Sequence, residues 1–128
     1  MRHHTAVIDK FVKDCAAFAK VSPTCAIAAL GGYGRREMFP YSDIDVAVLT
    51  PEGLSQADQT AIAEFVTLLW SLGLTVGTNV RTKAETLKIT ASDITAATAF
   101  LEARWIYGNK ALFKDTHDTF LQELDSRM

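Results

Sequence analysis

No stretch of this chain approaches the run of about 18 apolar residues that a membrane-crossing helix needs. The first residues, Met1-Arg2-His3-His4, are not followed by an uninterrupted apolar segment, because Asp9 and Lys10 break it, so no secretory leader is read there. Cysteine is scarce. Cys15 and Cys25 are the only two, each in an apolar context, which excludes a disulfide scaffold and suits reduced core thiols of a cytoplasmic protein. Charge of one sign is also missing. The net charge is −2, with no basic stripe, so duplex nucleic acid is not an expected partner. Internal repeats, low-complexity tracts and linker-like segments are absent.

What is present is ordinary in bulk: 48% apolar and 22% charged residues over 128 positions, enough for one domain with a genuine core. The informative part lies between Leu30 and Leu49. An apolar strand from Cys25 to Leu30 ends in the pair Gly31-Gly32, and ten residues then lead to Asp43, which opens a second strand carrying Asp43 and Asp45. Residues i and i+2 of a strand share a side, so the two carboxylates stand roughly 6–7 Å apart at their Cα atoms. At an effective dielectric near 20 they repel by about 2–3 kcal/mol, which invites a divalent cation between them. Mg2+ takes one or two carboxylates together with substrate phosphate oxygens, and the pair suits a nucleotide-metal site.

The short connection, with Gly34, Pro40 and a helical turn, predicts antiparallel neighbours. The end of the first strand would then lie beside the start of the second, with Gly31 and Gly32 next to Asp43 and Asp45. Glycine lets backbone N–H groups approach a phosphate closely. Asp residues before an apolar run are often only a turn, and so is a glycine pair. Here, however, Ile44, Val46 and Val48 fill one face while Ala47 and Leu49 continue the other, the pattern of a strand buried on both sides. Carboxylates at its start would be costly unless they open into a cleft.

These residues resemble the nucleotidyltransferase superfamily signature: apolar strand, Gly-Gly, spacer, Asp-x-Asp. The run Gly31-Gly32-Tyr33-Gly34-Arg35, then Glu37 and Pro40-Tyr41-Ser42-Asp43-Ile44-Asp45, is most like the N-terminal domain of the bacterial PII uridylyltransferase (uridylyl-removing enzyme) family. Further blocks follow in the family's order: Leu69 to Leu74, Val76-Gly77, Val80-Arg81-Thr82, Asp93 to Thr98, and Leu101 to Arg104. The resemblance covers roughly Ile27 to Phe113. It implies a polymerase-beta-like α/β (α+β) fold, a small mixed sheet flanked by helices. It also implies a Mg2+-dependent transfer of UMP from UTP to a tyrosine of a PII-type nitrogen-signalling protein. On this reading Asp43 and Asp45 are expected to be the catalytic and metal residues, and Gly31, Gly32, Arg35, Ser42 and Arg81 the nucleotide-binding set. Family members continue into further domains, so residues 1–128 are expected to be one nucleotidyltransferase domain excised from or related to a longer chain.

Two departures bear on function. Arg36 stands where the family usually has glycine, and Gly34-Arg35-Arg36-Glu37 looks more like nucleotidyltransferase-like domains of CBS-domain signalling proteins. Many superfamily members also carry a third carboxylate on a later strand, as base for the acceptor hydroxyl. Here that strand is predicted from Leu74 to Arg81, with Leu74, Val76 and Val80 on one face and Thr75, Gly77, Asn79 and Arg81 on the other. None of these is an acid. Either another element supplies the base, with Asp93 the leading stand-in, or the domain is a nucleotide-sensing module without turnover. An adenylylating toxin-type transferase is a further alternative. For Arg81, a place in the cleft competes with a salt bridge to Glu102. His117-Asp118 resembles the dipeptide of HD phosphohydrolases, but His3 and His4 are the only other histidines, so no such site is expected.

Around the motif the periodicities predict a helix from Thr5 to Lys20 using Val7, Ile8, Phe11, Val12, Cys15 and Phe18, and another from Ser55 to Leu72 with Ile62, Phe65, Leu69 and Leu72 inward. Thr82 with Glu85 forms a capping box opening a short helix. Ser92 is expected to cap a longer helix that turns Ile94, Ala97, Leu101 and Trp105 inward and ends at Gly108. A final helix is expected over Lys114 to Arg127 through Phe120 and Leu124.

Overall fold

The alternation Val46-Ala47-Val48-Leu49 makes β2 (Ile44–Thr50) apolar on both sides, and in the computed structural model both sides are covered. The structure describes residues 2–30, 44–71 and 76–126. β2 lies between β1 (Ala26–Leu30), which runs antiparallel to it, and β3 (Val76–Thr82), which runs parallel. β4 (Arg104–Gly108) pairs antiparallel with the other edge of β1, giving a mixed four-stranded sheet in the order β3-β2-β1-β4. Among the described residues five helices flank it: α1 (Arg2–Phe18), α2 (Gln56–Ser71), α3 (Lys83–Ser92), α4 (Ile94–Leu101) and α5 (Lys110–Ser126).

The two faces of the sheet make two cores. Ile27, Ala29, Val46 and Val48 pack with Val12 and Ala16 of α1 and with Ile62, Phe65 and Leu69 of α2. Phe65 is fully buried, which contributes about 1.5–3 kcal/mol. On the opposite face Leu30 and Ala47 meet Ala97 and Phe100 of α4 and Phe120 of α5. Phe100 and Phe120 form an edge-to-face pair with centroids 5.2 Å apart.

The helix ends follow local chemistry. Ser55 Oγ accepts from Asp58 N at 3.1 Å at the start of α2. The expected capping box at Thr82 and Glu85 is present in both directions. Five expectations need correction. In α1 Val12 is inward as expected, joined by Ala16 and, just past the helix end, Ala19, while Phe11 and Phe18 are 44% and 74% exposed. Small side chains let the helix approach the sheet, and the two phenylalanines flank that stripe. Asp93, not Ser92, caps α4, accepting from Thr95 N and Ala96 N. The helix then stops at Leu101, leaving Ile94 and Leu101 exposed, and Trp105 belongs to β4. Helical spacing from Leu101 to Trp105 hid a strand that forms only because β1 offers its free edge. The last helix begins at Lys110, four residues before the expected start, where Asn109 Oδ1 accepts from Leu112 N at 3.0 Å.

Gly108 closes β4 instead of ending a helix. Its φ is +86°, and a Cβ there would lie 2.1 Å from the Cys25 carbonyl oxygen. Asn109 N donates to that same oxygen at 2.8 Å. Gly53 also has positive φ, +71°, but a Cβ there meets nothing within 4 Å. Gly108→Ala should therefore cost about 2–4 kcal/mol, strain plus overpacking, and Gly53→Ala only about 1–2 kcal/mol. Urea midpoints of the two variants check this; equal losses would show that the Cys25 contact is not the constraint.

Arg104 joins the β4 edge to α1 through a two-pronged ion pair with Asp9, at 2.8 and 3.1 Å, and both side chains are mostly buried. Removing one partner leaves a poorly solvated charge, so Asp9→Ala should cost about 2–4 kcal/mol. Asp9→Leu combined with Arg104→Met should recover most of that loss in a double-mutant cycle, because the pair owes little to net Coulomb gain.

Candidate nucleotide site

Asp45 is the charged residue at the head of an otherwise buried strand. It is exposed, whereas Val46, Val48 and Leu49 behind it are buried. The register sets Leu30 opposite Asp45 on one side and Gly77 opposite it on the other. The chain thus leaves β1, toward Gly31, beside this aspartate, as antiparallel neighbours require. Gly31, Gly32, Arg35, Ser42 and Asp43 lie outside the described residues.

Paired positions of neighbouring strands share a side, so Leu30, Asp45, Ala47, Leu49, Gly77, Asn79 and Arg81 all belong to the face under α3, α4 and α5. Asn79 and Arg81 are two and four residues beyond the level of Asp45, roughly 7 and 13 Å along the strands. Both line a cavity of about 50 Å3 with Leu30, Ala47, Thr86 and Phe100. The ion pairs among the described residues join Lys10 to Asp14, Lys83 to Asp115 and Arg104 to Asp9. Arg81 with Glu102 is not among them, so the competing salt-bridge reading of Arg81 falls. Asn79 was legible in the sequence only as one member of a polar alternation. Its significance comes from standing beside Arg81 over a cavity.

β3 places Gly77 directly beside Asp45, with Asn79 and Arg81 next on that face, so the described part of the strand offers no carboxylate. Asp93 is engaged as the cap of α4, accepting from Thr95 N and Ala96 N. Among the described residues no group of three His, Cys, Asp or Glu side chains could hold a metal ion. Asp45 is an exposed oxygen donor of the hard kind that Mg2+ prefers, and with Asp43 it would supply the one or two carboxylates such an ion takes.

Other reactive groups are accounted for structurally. His117 Nε2 lies 3.0 Å from the Phe100 carbonyl oxygen, and its ring stacks on Phe113. Cys25 is buried and Cys15 half-buried, both as free thiols. Burial pushes both thiols above their ordinary range, with Asp14 adding to Cys15 and Asp58 to Cys25. Neither is suited to act as a thiolate nucleophile. No helix among the described residues is long and apolar enough to cross a membrane.

Comparison with known proteins agrees with this geometry. The nucleotidyltransferase domain family matches residues 8–97. Over 121 residues the chain is 38% identical to the bifunctional uridylyltransferase/uridylyl-removing enzyme of Bordetella avium, an overlap of 94% of this chain and 14% of that protein. The enzyme of the same name from Cupriavidus metallidurans is 43% identical over 101 residues, covering 79% of this chain and 12% of its own. That from Nitrosospira multiformis is 38% identical over 134 residues, covering 100% and 15%. The chain therefore spans only 12–15% of the length of these relatives. In fold it is similar to a chain from the crystal structure of a toxin-antitoxin with AMP-PNP, with a TM-score of 0.53 at 13% identity, covering 88% of this chain and 86% of that one. With the Gly-Gly and Asp-x-Asp run at the junction of two central strands, and a family match over most of its length, the chain belongs to the nucleotidyltransferase domain family of transferases.

Proposed function

We infer that this domain transfers UMP from UTP to a protein hydroxyl, with a tyrosine of a PII-type signalling protein as acceptor. The observation that carries the reading is the exposed Asp45 at the head of the central strand, in register with the end of β1 that leads into Gly31-Gly32. Identity of 38–43% to uridylyltransferases over most of the chain supports uridine as the base.

Asp43 and Asp45 would hold Mg2+, which when bound neutralises charge on the phosphates and helps to orient them. Backbone amides of Gly31 and Gly32 would cradle the same phosphates, with Arg35 and Ser42 beside them. The acceptor oxygen attacks the α-phosphorus, the bond from that phosphorus to the bridging oxygen breaks, and pyrophosphate leaves. The hydroxyl proton passes to a base that β3 does not provide, or to solvent. General-base help is worth about 10²–10⁴-fold, so the domain alone should bind nucleotide well and turn over slowly.

The test is incubation with Mg2+, each α-labelled nucleoside triphosphate in turn, and a PII-type protein. Label from UTP should appear on the PII-type protein. Asp43→Asn and Asp45→Asn should each reduce it at least about a hundredfold, since bound metal supplies several kcal/mol of charge stabilisation, while thermal unfolding stays unchanged. Undiminished labelling by the double variant would overturn the metal assignment. Labelling from ATP alone would make the domain an adenylyltransferase, and nucleotide binding with no labelling at all would make it a sensor.

A further inference from the structure

We infer a second ligand site, independent of the nucleotide site, where the edge strand β4 meets α5. It takes a small organic monoanion, a carboxylate carried on one apolar ring. The starting observation is an orphaned donor. Among the described residues the Trp105 indole Nε1–H is the only buried side-chain polar atom without a hydrogen-bond partner. Buried donors are ordinarily satisfied, and each exception calls for a cause. A bulge sets the place of this indole. Ala28 pairs with Trp105 but Ile27 with Tyr107, so Ile106 is an extra residue in β4. Ile106 and Tyr107 both join the core under α1 and α2, whereas Trp105 shares the other face with Ala28 and Ala47. Above it α5 aligns Lys110, Phe113, Lys114, His117 and Asp118 along one side of the helix. With Trp105 they line a groove of about 320 Å3. An apolar cavity of about 150 Å3 holds a benzene ring, so this groove has room for a ring with a charged substituent.

Charge selects the ligand. Lys110 Nζ lies over the Trp105 ring, 5.3 Å from its centroid. Neither Lys110 nor Lys114 has an ion pair among the described residues. Arg104 also borders the groove but is committed to Asp9, and His117 Nε2–H is spent on the Phe100 carbonyl. The uncommitted charges are two ammonium groups against the Asp118 carboxylate, which leaves one positive charge for the ligand to neutralise. A carboxylate matches that balance. A phosphate monoester, at about −1.5 to −2, brings excess charge against Asp118. One carboxylate oxygen accepts from Trp105 Nε1, and the other accepts from Lys110, which exchanges an exposed cation–π contact for a charge-assisted hydrogen bond. The ligand's ring then packs against the stacked rings of Phe113 and His117. An extended peptide fits less well, because the bulge interrupts the ladder that β4 would offer along its outer edge. Trp105 stands two strands from Asp45, roughly 10 Å across the sheet, so both sites can be filled at once.

The experiment titrates the chain with sodium benzoate while heteronuclear NMR follows its two indole N–H resonances, with Trp105→Phe separating Trp105 from Trp70. The Trp105 resonance should shift downfield and saturate while that of Trp70 stays in place. Lys110→Gln should weaken benzoate about tenfold, and Lys110→Arg should restore most of the affinity. Benzyl alcohol, which keeps the ring without the charge, should leave the resonance unmoved. Inorganic phosphate should shift it only at higher concentration than benzoate, and Asp118→Asn should narrow that gap. An unmoved Trp105 resonance in millimolar benzoate would overturn the site. Unchanged affinity in Lys110→Gln would overturn the ion pair, and a stronger response to phosphate would overturn the carboxylate assignment. Loss of the benzoate shift on adding UTP with Mg2+ would put the anion at the nucleotide site and overturn a separate one.

Discussion

Strand β2 is hydrogen-bonded along both edges and covered on both faces, so it can carry charge only at its ends. This confinement organises the molecule. Val46 and Val48 must find partners on α1 and α2, and Ala47 must find them on α4 and α5. A carboxylate in the middle of the strand would be prohibitively desolvated; at its head, Asp45 remains exposed while fixed to a rigid scaffold. Precision at that position comes from the sheet, since β1 and β3 hold the backbone of Asp45 from both sides.

The same sheet explains why chemistry gathers on one face. Leu30, Ala47 and Leu49 on that face are apolar, whereas β3, an edge strand, contributes Gly77, Asn79 and Arg81. Polar side chains are tolerated at an edge because only one neighbouring strand encloses them. Helices α3 and α4 then roof part of this face without filling it, leaving a small cavity beside Asn79 and Arg81. On the opposite face α1 and α2 cover Ile27, Ala29, Val46 and Val48 with aliphatic and aromatic side chains and hold β2 in place, while Val80 of the edge strand stays 46% exposed.

At the far edge, β4 is maintained by contacts remote from the candidate site. Arg104 clasps Asp9 of α1, and Gly108 lets the chain pass over the Cys25 carbonyl into α5. α5 in turn delivers Phe120 beneath Phe100, which lines the cavity. The candidate site is thus bounded by a helix whose position depends on a strand-and-glycine joint on the other side of the sheet.

Local chemistry made much of this legible in advance. The Gly-Gly and Asp-x-Asp run, the two-sided burial of β2, the antiparallel partner that brings Leu30 beside Asp45 and the capping box at Thr82 and Glu85 depend on spacing within about twenty residues, and sequence alone determined them. Asp93 as cap, β4 and the outward turn of Phe11 and Phe18 on α1 did not yield to periodicity. Arg104 to Gly108 becomes a strand because β1 has an edge to pair, and Phe18 stays outside because alanines pack closer to the sheet. The juxtaposition of Asn79 and Arg81 with a cavity walled by Leu30 and Phe100 was likewise decided only by tertiary structure. Its walls come from β1, β2, β3, α3 and α4, segments with no local chemical reason to meet until burial of the sheet brings them together.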